Sequence, residues 1–310
     1  MKKFIPLTLA ALGLLSALPA RAWNYNAGDL LLVFRNGTSD VEFNLGTVSN
    51  YLGHAAGYTT VVTGWNPTLV TGAFGSTTNL GGFPSLSGVD VVLLAVTGTP
   101  QTAWLSGAEP NTTAYTVGSS AWTSSLYGTI NSVGIRPITY NAPATTNANS
   151  SATNSYVLSA TALSSYDTAV SGGTSTGLQD ITQLGGKSAF TVETALPADL
   201  DFWAISPSSA PTKPADQLVG RFELSSSGVL TFIAGPRPAS LQGLTRNGNV
   251  STVSFTTTVG NAYTLAHTNR LTAPPGTWPV DTITNIGDGN VDTLTHTNSG
   301  AAELYEVIAH

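Results

Sequence analysis

Residues 25–52 read YNAGDLLLVFRNGTSDVEFNLGTVSNYL, and the fold follows from how this stretch alternates. Leu30 to Phe34 is an unbroken apolar run, the pattern of a strand buried on both faces. Val41, Phe43 and Leu45 instead alternate with Glu42, Asn44 and Gly46, as in a strand with one core face and one wet face. Between them stands Asn36-Gly37-Thr38-Ser39, where Asn and Gly readily take up the positive φ of a hairpin turn. The segment predicts a β-hairpin.

The residues in front of it predict export. Lys2 and Lys3 form a basic start, Phe4 to Leu18 an apolar core, and Ala20-Arg21-Ala22 a small-x-small cleavage site, so residues 1–22 read as a signal peptide and Trp23 as the first mature residue. The apolar stretch is interrupted by Pro6 and falls short of the roughly 20 residues of a spanning helix. No later segment is long and apolar enough to span either, so no membrane span is expected in the mature chain. The expected location is extracellular or in the cell envelope.

Loss of the leader also removes Lys2, Lys3 and Arg21, which makes a net charge of −6 more negative still. A chain so acidic lacks the electrostatic footprint for nucleic acid or an anionic membrane, and neither is expected as a partner. The absence of cysteine excludes disulfides, thiol catalysis and Cys-ligated zinc. Charged residues make up only 9% of the 310, so Thr, Ser, Asn and Gly must furnish the surface, a composition that favours strands and turns.

Further strands are predicted at Thr59 to Thr63, Val89 to Thr97, Ala189 to Thr194, Asp201 to Ser206 and Gln217 to Ser225, the last paired with Val229 to Ile233 in a second hairpin. Thr71 to Gly88 reads as loop, and Asn141 to Asn154 as low complexity. Trp122, Leu126, Ile130 and Val133 recur at helical spacing and predict a helix over Ser119 to Val133 that Gly134 stops. A second helix is predicted over Tyr156 to Val170, with Leu163, Tyr166 and Val170 on one face. Gly235-Pro236-Arg237-Pro238 breaks the pattern. Five short strands follow, around Asn249 to Thr258, Ala262 to Thr268, Asp281 to Ile286, Val291 to His296 and Leu304 to Ala309. The expected fold class is therefore mainly β: an N-terminal sheet or sandwich-type domain with one or two short helices over 23–235, a linker at 236–243, and a small β-sandwich-like module over 244–310.

With these elements located, the first 235 residues resemble exported proteins of the PEP-CTERM (exosortase-sorted) group. The signal peptide followed by Ala27-Gly28-Asp29-Leu30-Leu31-Leu32-Val33-Phe34-Arg35, the strand Val41 to Leu45 with Gly46-Thr47-Val48, and the closing hairpin Val219 to Leu224 with Gly228 to Phe232 carry the resemblance. It implies a protein of the bacterial cell surface or extracellular matrix. The group's Pro-Glu-Pro signal, membrane helix and basic cluster are replaced here by Gly235-Pro236-Arg237-Pro238 and the C-terminal module. That module looks like small β-domains of bacterial secreted proteins, through strands such as Tyr263-Thr264-Leu265 and Leu304-Tyr305-Glu306-Val307.

No motif points to chemistry with force. Gly173-Thr174-Ser175-Thr176-Gly177 matches a nucleophile elbow, but it follows a predicted helix end and lies in a Ser/Gly/Thr tract where such a match is cheap. Asp288, Asn290 and Asp292 have the alternate spacing of calcium ligands, yet the twelfth position from Asp288 is Ser299, so the turn reading is preferred. His54, His267, His296 and His310 are isolated in sequence. His267 and His296 would meet only if their strands neighbour one another, and are read as surface polar residues. Asp199/Asp201 and Asp288/Asp292 are the close carboxylate pairs, without a sign that either faces a cleft.

The tryptophans offer one binding alternative. Trp122 and Trp203 sit in helix and strand patterns and read as core, whereas Trp65, Trp104 and Trp278 lie beside turn residues, where an exposed indole would stack on a sugar. The expectation is a secreted or surface-associated structural protein with no catalytic residue, cofactor or metal. A carbohydrate-binding protein using Trp65, Trp104 and Trp278 is the first alternative and a secreted hydrolase the second. Polysaccharide, other surface proteins and self-association are the partner classes left open.

Overall fold

The computed structural model describes residues 23–74, 88–98, 101–108, 117–118, 127–140, 155–171, 192–196, 199–205, 207–208, 217–225, 227–235, 239–257, 262–270, 278–287, 290–298 and 303–309. It is mainly β, with 54% strand against 17% helix, built as one large curled antiparallel sheet and smaller sheets. In chain order the strands up to residue 234 are β1 (Asp29–Arg35), β2 (Ser39–Thr47), β3 (Thr59–Val61), β4 (Asp90–Gly98), β5 (Gln101–Ala108), β6 (Val117–Gly118), β7 (Ser155–Ser159), β8 (Thr194–Ala195), β9 (Asp199–Ile205), β10 (Pro207–Ser208), β11 (Gln217–Leu224) and β12 (Leu230–Ala234). The large sheet runs β3-β12-β11-β9-β5-β4-β1-β2-β7, with β8 also paired to β4 and with β6 and β10 forming a separate parallel pair.

The expected hairpin is present, with Phe34 opposite Val41 and Arg35 opposite Asp40. Its turn uses Gly37 at φ 76° and an Asn36 side chain that accepts from the backbone N–H of Thr38 and Ser39. Because strand side chains alternate between faces, β1 feeds two cores. Leu30, Leu32 and Phe34 join Val41, Phe43, Leu93, Phe202, Phe222 and Phe232 on one face. Leu31 and Val33 join Val92, Leu94, Leu105, Ile130, Val133, Tyr156 and Tyr166 on the other.

Burial on both faces of β1 matches the apolar run, but β2 departs from its alternation. Asp40 through Leu45 are all buried, so the side expected to be wet carries Asp40, Glu42 and Asn44 under other parts of the chain. The covering elements come from segments whose own reading changes. Tyr156 to Val170 is not one helix: Ser155–Ser159 is strand β7, paired with β2, and only Tyr166–Ser171 is helical. Leu163, expected on a packed helix face, is 60% exposed in the turn between them. The open edge of β2 outbids a helical spacing that isolated residues could not sustain.

Among the described residues, two α-helices precede it. Helix α1 (Pro67–Phe74) occupies the start of the segment read as loop. Its signal was local: the Asn66 side chain accepts from Thr68 N at 2.8 Å, and proline suits the first helical position. Helix α2 (Tyr127–Thr139) runs past Gly134, which does not stop it, and even accommodates Pro137; residues 119–126 lie outside the described residues. The short helix Tyr166–Ser171 is α3.

Gly134 serves packing. A Cβ there would lie 2.4 Å from atoms of the Tyr25 ring, and the Gly134 carbonyl accepts from Trp23 Nε1 at 2.6 Å. Gly134→Ala is expected to be destabilising by up to about 2 kcal/mol, since overpacking costs about 1–3 kcal/mol against the roughly 1 kcal/mol that alanine gains as a helix former. A urea titration showing the variant as stable as the parent would contradict this account of α2.

After residue 240 come β13 (Leu241–Asn247), β14 (Val250–Thr256), β15 (Ala262–Thr268), β16 (Val280–Ile286), β17 (Val291–Thr297) and β18 (Leu304–Ala309). They form two three-stranded sheets, β13-β14-β17 and β16-β15-β18. Val253, Phe255 and Leu294 of the first sheet pack against Tyr263 and Leu265 of the second, which is a small sandwich-like core. Five of these strands match expectation. The sixth, β13, begins inside the segment read as linker, and is exposed along its whole length, so it carries no burial pattern to read.

Candidate functional site

The side chains that the alternation of β2 assigned to water form one ionic cluster instead. Arg35, at the end of β1, points to the same face as Asp40 and Glu42. Its Nε donates to Asp167 Oδ1 at 3.0 Å, and its Nη1 donates to Glu193 Oε2 at 2.8 Å and to Asp90 Oδ2 at 3.2 Å. Tyr166 Oη donates to Glu193 at 2.6 Å. The backbone N–H groups of Tyr166 and Asp167, at the start of α3, donate to Glu42 Oε1 at 2.7 Å and Asp40 Oδ2 at 2.9 Å. Two carboxyls thus satisfy donors that the first turn of a helix leaves without intrahelical partners.

One guanidinium faces four buried carboxyls, Asp40, Glu42, Asp167 and Glu193, together with the half-exposed Asp90. Burial opposes the Arg35 charge, but Glu193, Asp167 and Asp90 outweigh it and raise its pKa. The excess of acid is met by protons. Burial first, then the nearby charge of Asp167, pushes Asp40 up to about 7, and burial with the Asp40 charge holds Glu42 well above the carboxylate range. Asp40 Oδ1 and Glu42 Oε2 are buried without a hydrogen-bond partner, consistent with carboxyls that hold protons of their own.

Perturbed acids mark both catalytic sites and structural ion networks. Here every partner is another part of the chain: the cluster fastens the 155–171 segment and Glu193 onto the first hairpin. Among the described residues, none of its members lines either of two depressions, one bordered by His54, Thr102, Trp104 and Leu218, the other by Leu241, Leu244, Val253 and Tyr305.

A second cluster lies between the two C-terminal sheets. Leu294, Leu265 and Tyr305 face the small core, and the same period of two brings His296, His267 and Glu303 inward beside them. The His267 and His296 rings lie 3.7 Å apart, centroid to centroid. His296 Nδ1 donates to the Asp281 carboxylate at 3.0 Å, and His296 Nε2 lies 3.1 Å from Glu303 Oε2. Tyr305 Oη in turn donates to Glu303 and to Asn298, whose amide donates to Ser251 Oγ at 2.9 Å. The two histidines are therefore not polar surface residues. Sequence separation hid the meeting, since the strands that carry them belong to different sheets.

The other candidates scatter. Trp65 stacks on Phe34 at 5.8 Å in the main core, and Trp104 is 7% exposed in the same core, so neither presents a free indole face. Trp278 is half-buried, far along the chain beside β16. Trp203 is core, as expected, whereas Trp122 lies outside the described residues. Asp201 is buried beside its exposed neighbour Asp199, opposite Arg221 and Glu223 of β11. His54 stacks on Tyr58 at 3.9 Å. Ser175, Asp288 and His310 lie outside the described residues, and with them the elbow match, the calcium spacing and the second carboxylate pair.

No family model, curated protein or solved structure matches this chain. Among the described residues, no helix is long and apolar enough to cross a membrane.

Proposed function

We propose that this chain is an exported, non-catalytic structural protein of the cell surface or extracellular matrix. One observation carries the reading: the most strongly perturbed ionisable groups of the large sheet are spent on holding the chain to itself. Arg35, Asp40, Glu42, Asp167 and Glu193 join segments more than a hundred residues apart. Their charge is compensated inside the fold, which leaves none of it aimed at a bound substrate. The leader read over residues 1–22 and the resemblance to exosortase-sorted proteins supply the location. Two further features suit a chain that works by being present and assembling: a sparsely charged surface, and an edge strand, β13, exposed from end to end, Leu241 and Leu244 included.

Cell fractionation with an antibody to the chain tests the proposal. The protein is expected in the envelope or matrix fraction, with Trp23 as its N-terminal residue by Edman or mass-spectrometric sequencing. A full-length chain confined to the cytoplasm would overturn it.

A further inference from the structure

We propose that His267, His296 and Glu303 bind a zinc-class divalent cation between the two sheets of the C-terminal module, with Asp281 as the carboxylate that orients His296. The inference is independent of the proposed location and role, and rests on four observations.

The first is the donor set. One ligand atom from each of His267, His296 and Glu303 lies within 4.8 Å of the others. Two imidazoles and a carboxylate form a set that zinc accepts, whereas calcium and magnesium take oxygen ligands. Zinc donors sit about 2.0–2.2 Å from the ion, so in a tetrahedral site they are roughly 3.3 Å from one another. The pair His296 Nε2 and Glu303 Oε2, at 3.1 Å, already has that spacing.

The second is the state of His296. With Nδ1 donating to Asp281, Nε2 is the ring nitrogen that can offer a lone pair to a metal. That nitrogen is buried and makes no hydrogen bond, although a carboxylate oxygen lies 3.1 Å away. Two electron-rich atoms held this close in a buried place call for a positive centre between them, a proton on Nε2 or a metal ion, and zinc titration distinguishes the two. The arrangement of carboxylate, histidine and vacant ring nitrogen is also the one by which outer carboxylates fix metal-binding histidines.

The third is access. The Glu303 side chain is 2% exposed and that of His296 11%, but His267 and Asp281 are about one-fifth exposed, at 21% and 20%. The cluster is closed on the core side and reachable from solvent on the other.

The fourth is need. The apolar core of this module consists of Val253, Phe255, Tyr263, Leu265 and Leu294, with a few half-buried neighbours. A module of about 70 residues draws only a few kcal/mol from such a core, and small domains commonly add disulfides or a metal. This chain has no cysteine. His296 belongs to the sheet β13-β14-β17, His267 and the residue that leads into β18 to the other. An ion held by all three ties the sheets across the sandwich, where a disulfide would otherwise stand.

The test is metal uptake by the full chain, purified with a tag free of histidine, stripped with chelator and titrated with zinc chloride by calorimetry and elemental analysis. One zinc per chain is expected, with a thermal transition that rises with zinc concentration. Calcium chloride should do neither. Asp281→Asn should weaken zinc binding about 10- to 100-fold. The pair His267→Ala and His296→Ala should abolish the stoichiometric uptake, and His54→Ala should leave it unchanged. Absence of saturable zinc binding in the unmodified chain overturns the proposal without recourse to any variant. So does uptake that survives the double substitution, or uptake of calcium to the same extent.

Discussion

Replacing Arg35 by Ala is expected to destabilise the protein by about 3–5 kcal/mol at neutral pH, the loss that follows when one partner of a buried ion network is removed. The size comes from what is left behind. Arg35 neutralises Glu193 at 2.8 Å and Asp167 at 3.0 Å, and both of those carboxyls are buried. Without the guanidinium they remain charged in the interior or take up protons, and either course costs free energy that the unfolded chain does not incur. Since a domain has some 5–15 kcal/mol in total, the variant stands near the edge of folding. Arg35→Lys keeps a charge but not the fork that reaches Asp167 through Nε and Glu193 through Nη1, so it is expected to fall between the two. Urea titrations of the three proteins at pH 7 check this. Equal midpoints for parent and alanine variant would mean that the cluster contributes nothing to holding residues 155–171 in place.

Stability is expected to fall, not rise, between pH 4 and pH 8. The sign follows from Asp40, whose carboxyl is moved from 3.8 to about 7 in the folded protein, by burial and by Asp167. A group raised on folding binds its proton more tightly in the native state, so its contribution is complete below the unfolded value and is lost as pH climbs through the folded one. At 1.36 kcal/mol per pH unit the loss over that window is on the order of 3–4 kcal/mol. Glu42, Asp90 and Asp199 are all shifted upward with burial as the leading cause, so none of them opposes the trend. Asp40→Asn should flatten the profile. The amide keeps an oxygen to accept from Asp167 N and offers Asp167 a permanent donor, so the variant should match the parent near pH 4 and exceed it near pH 8. Thermal melts across that range decide the matter. A parent profile that climbs toward pH 8, or a variant with an unaltered slope, would show that the acids of the cluster are ionised after all.

The two predictions concern residues that looked ordinary in the sequence. Asp40 and Glu42 alternate with Val41 and Phe43, and alternation ordinarily means that one side faces water. The rule describes a sheet with a single covered face. It cannot register that β7 pairs with the outer edge of β2 and that α3 then lies over the polar side, because both arrive from more than a hundred residues away. The same distance separates Arg35 from Asp167 and Glu193. His267 and His296 were nearer to legible. Their period relative to Leu265 and Leu294 turns them inward, but only the face-to-face packing of two sheets says that inward means toward each other.

What the amino-acid order determined unaided was local: the mainly β class, the hairpin at Asn36-Gly37, the second hairpin from Gln217 to Ile233, and five strands of the C-terminal module. Each rests on turn residues and a period of two, which act over a few residues and need no partner. What the tertiary structure alone decided was which polar side chains leave water. The burial of Arg35 with its acids, and the meeting of His296 with Glu303, arise from contacts between distant strands, and the free energy of a charge depends on what surrounds it in space and not on its neighbours in the chain.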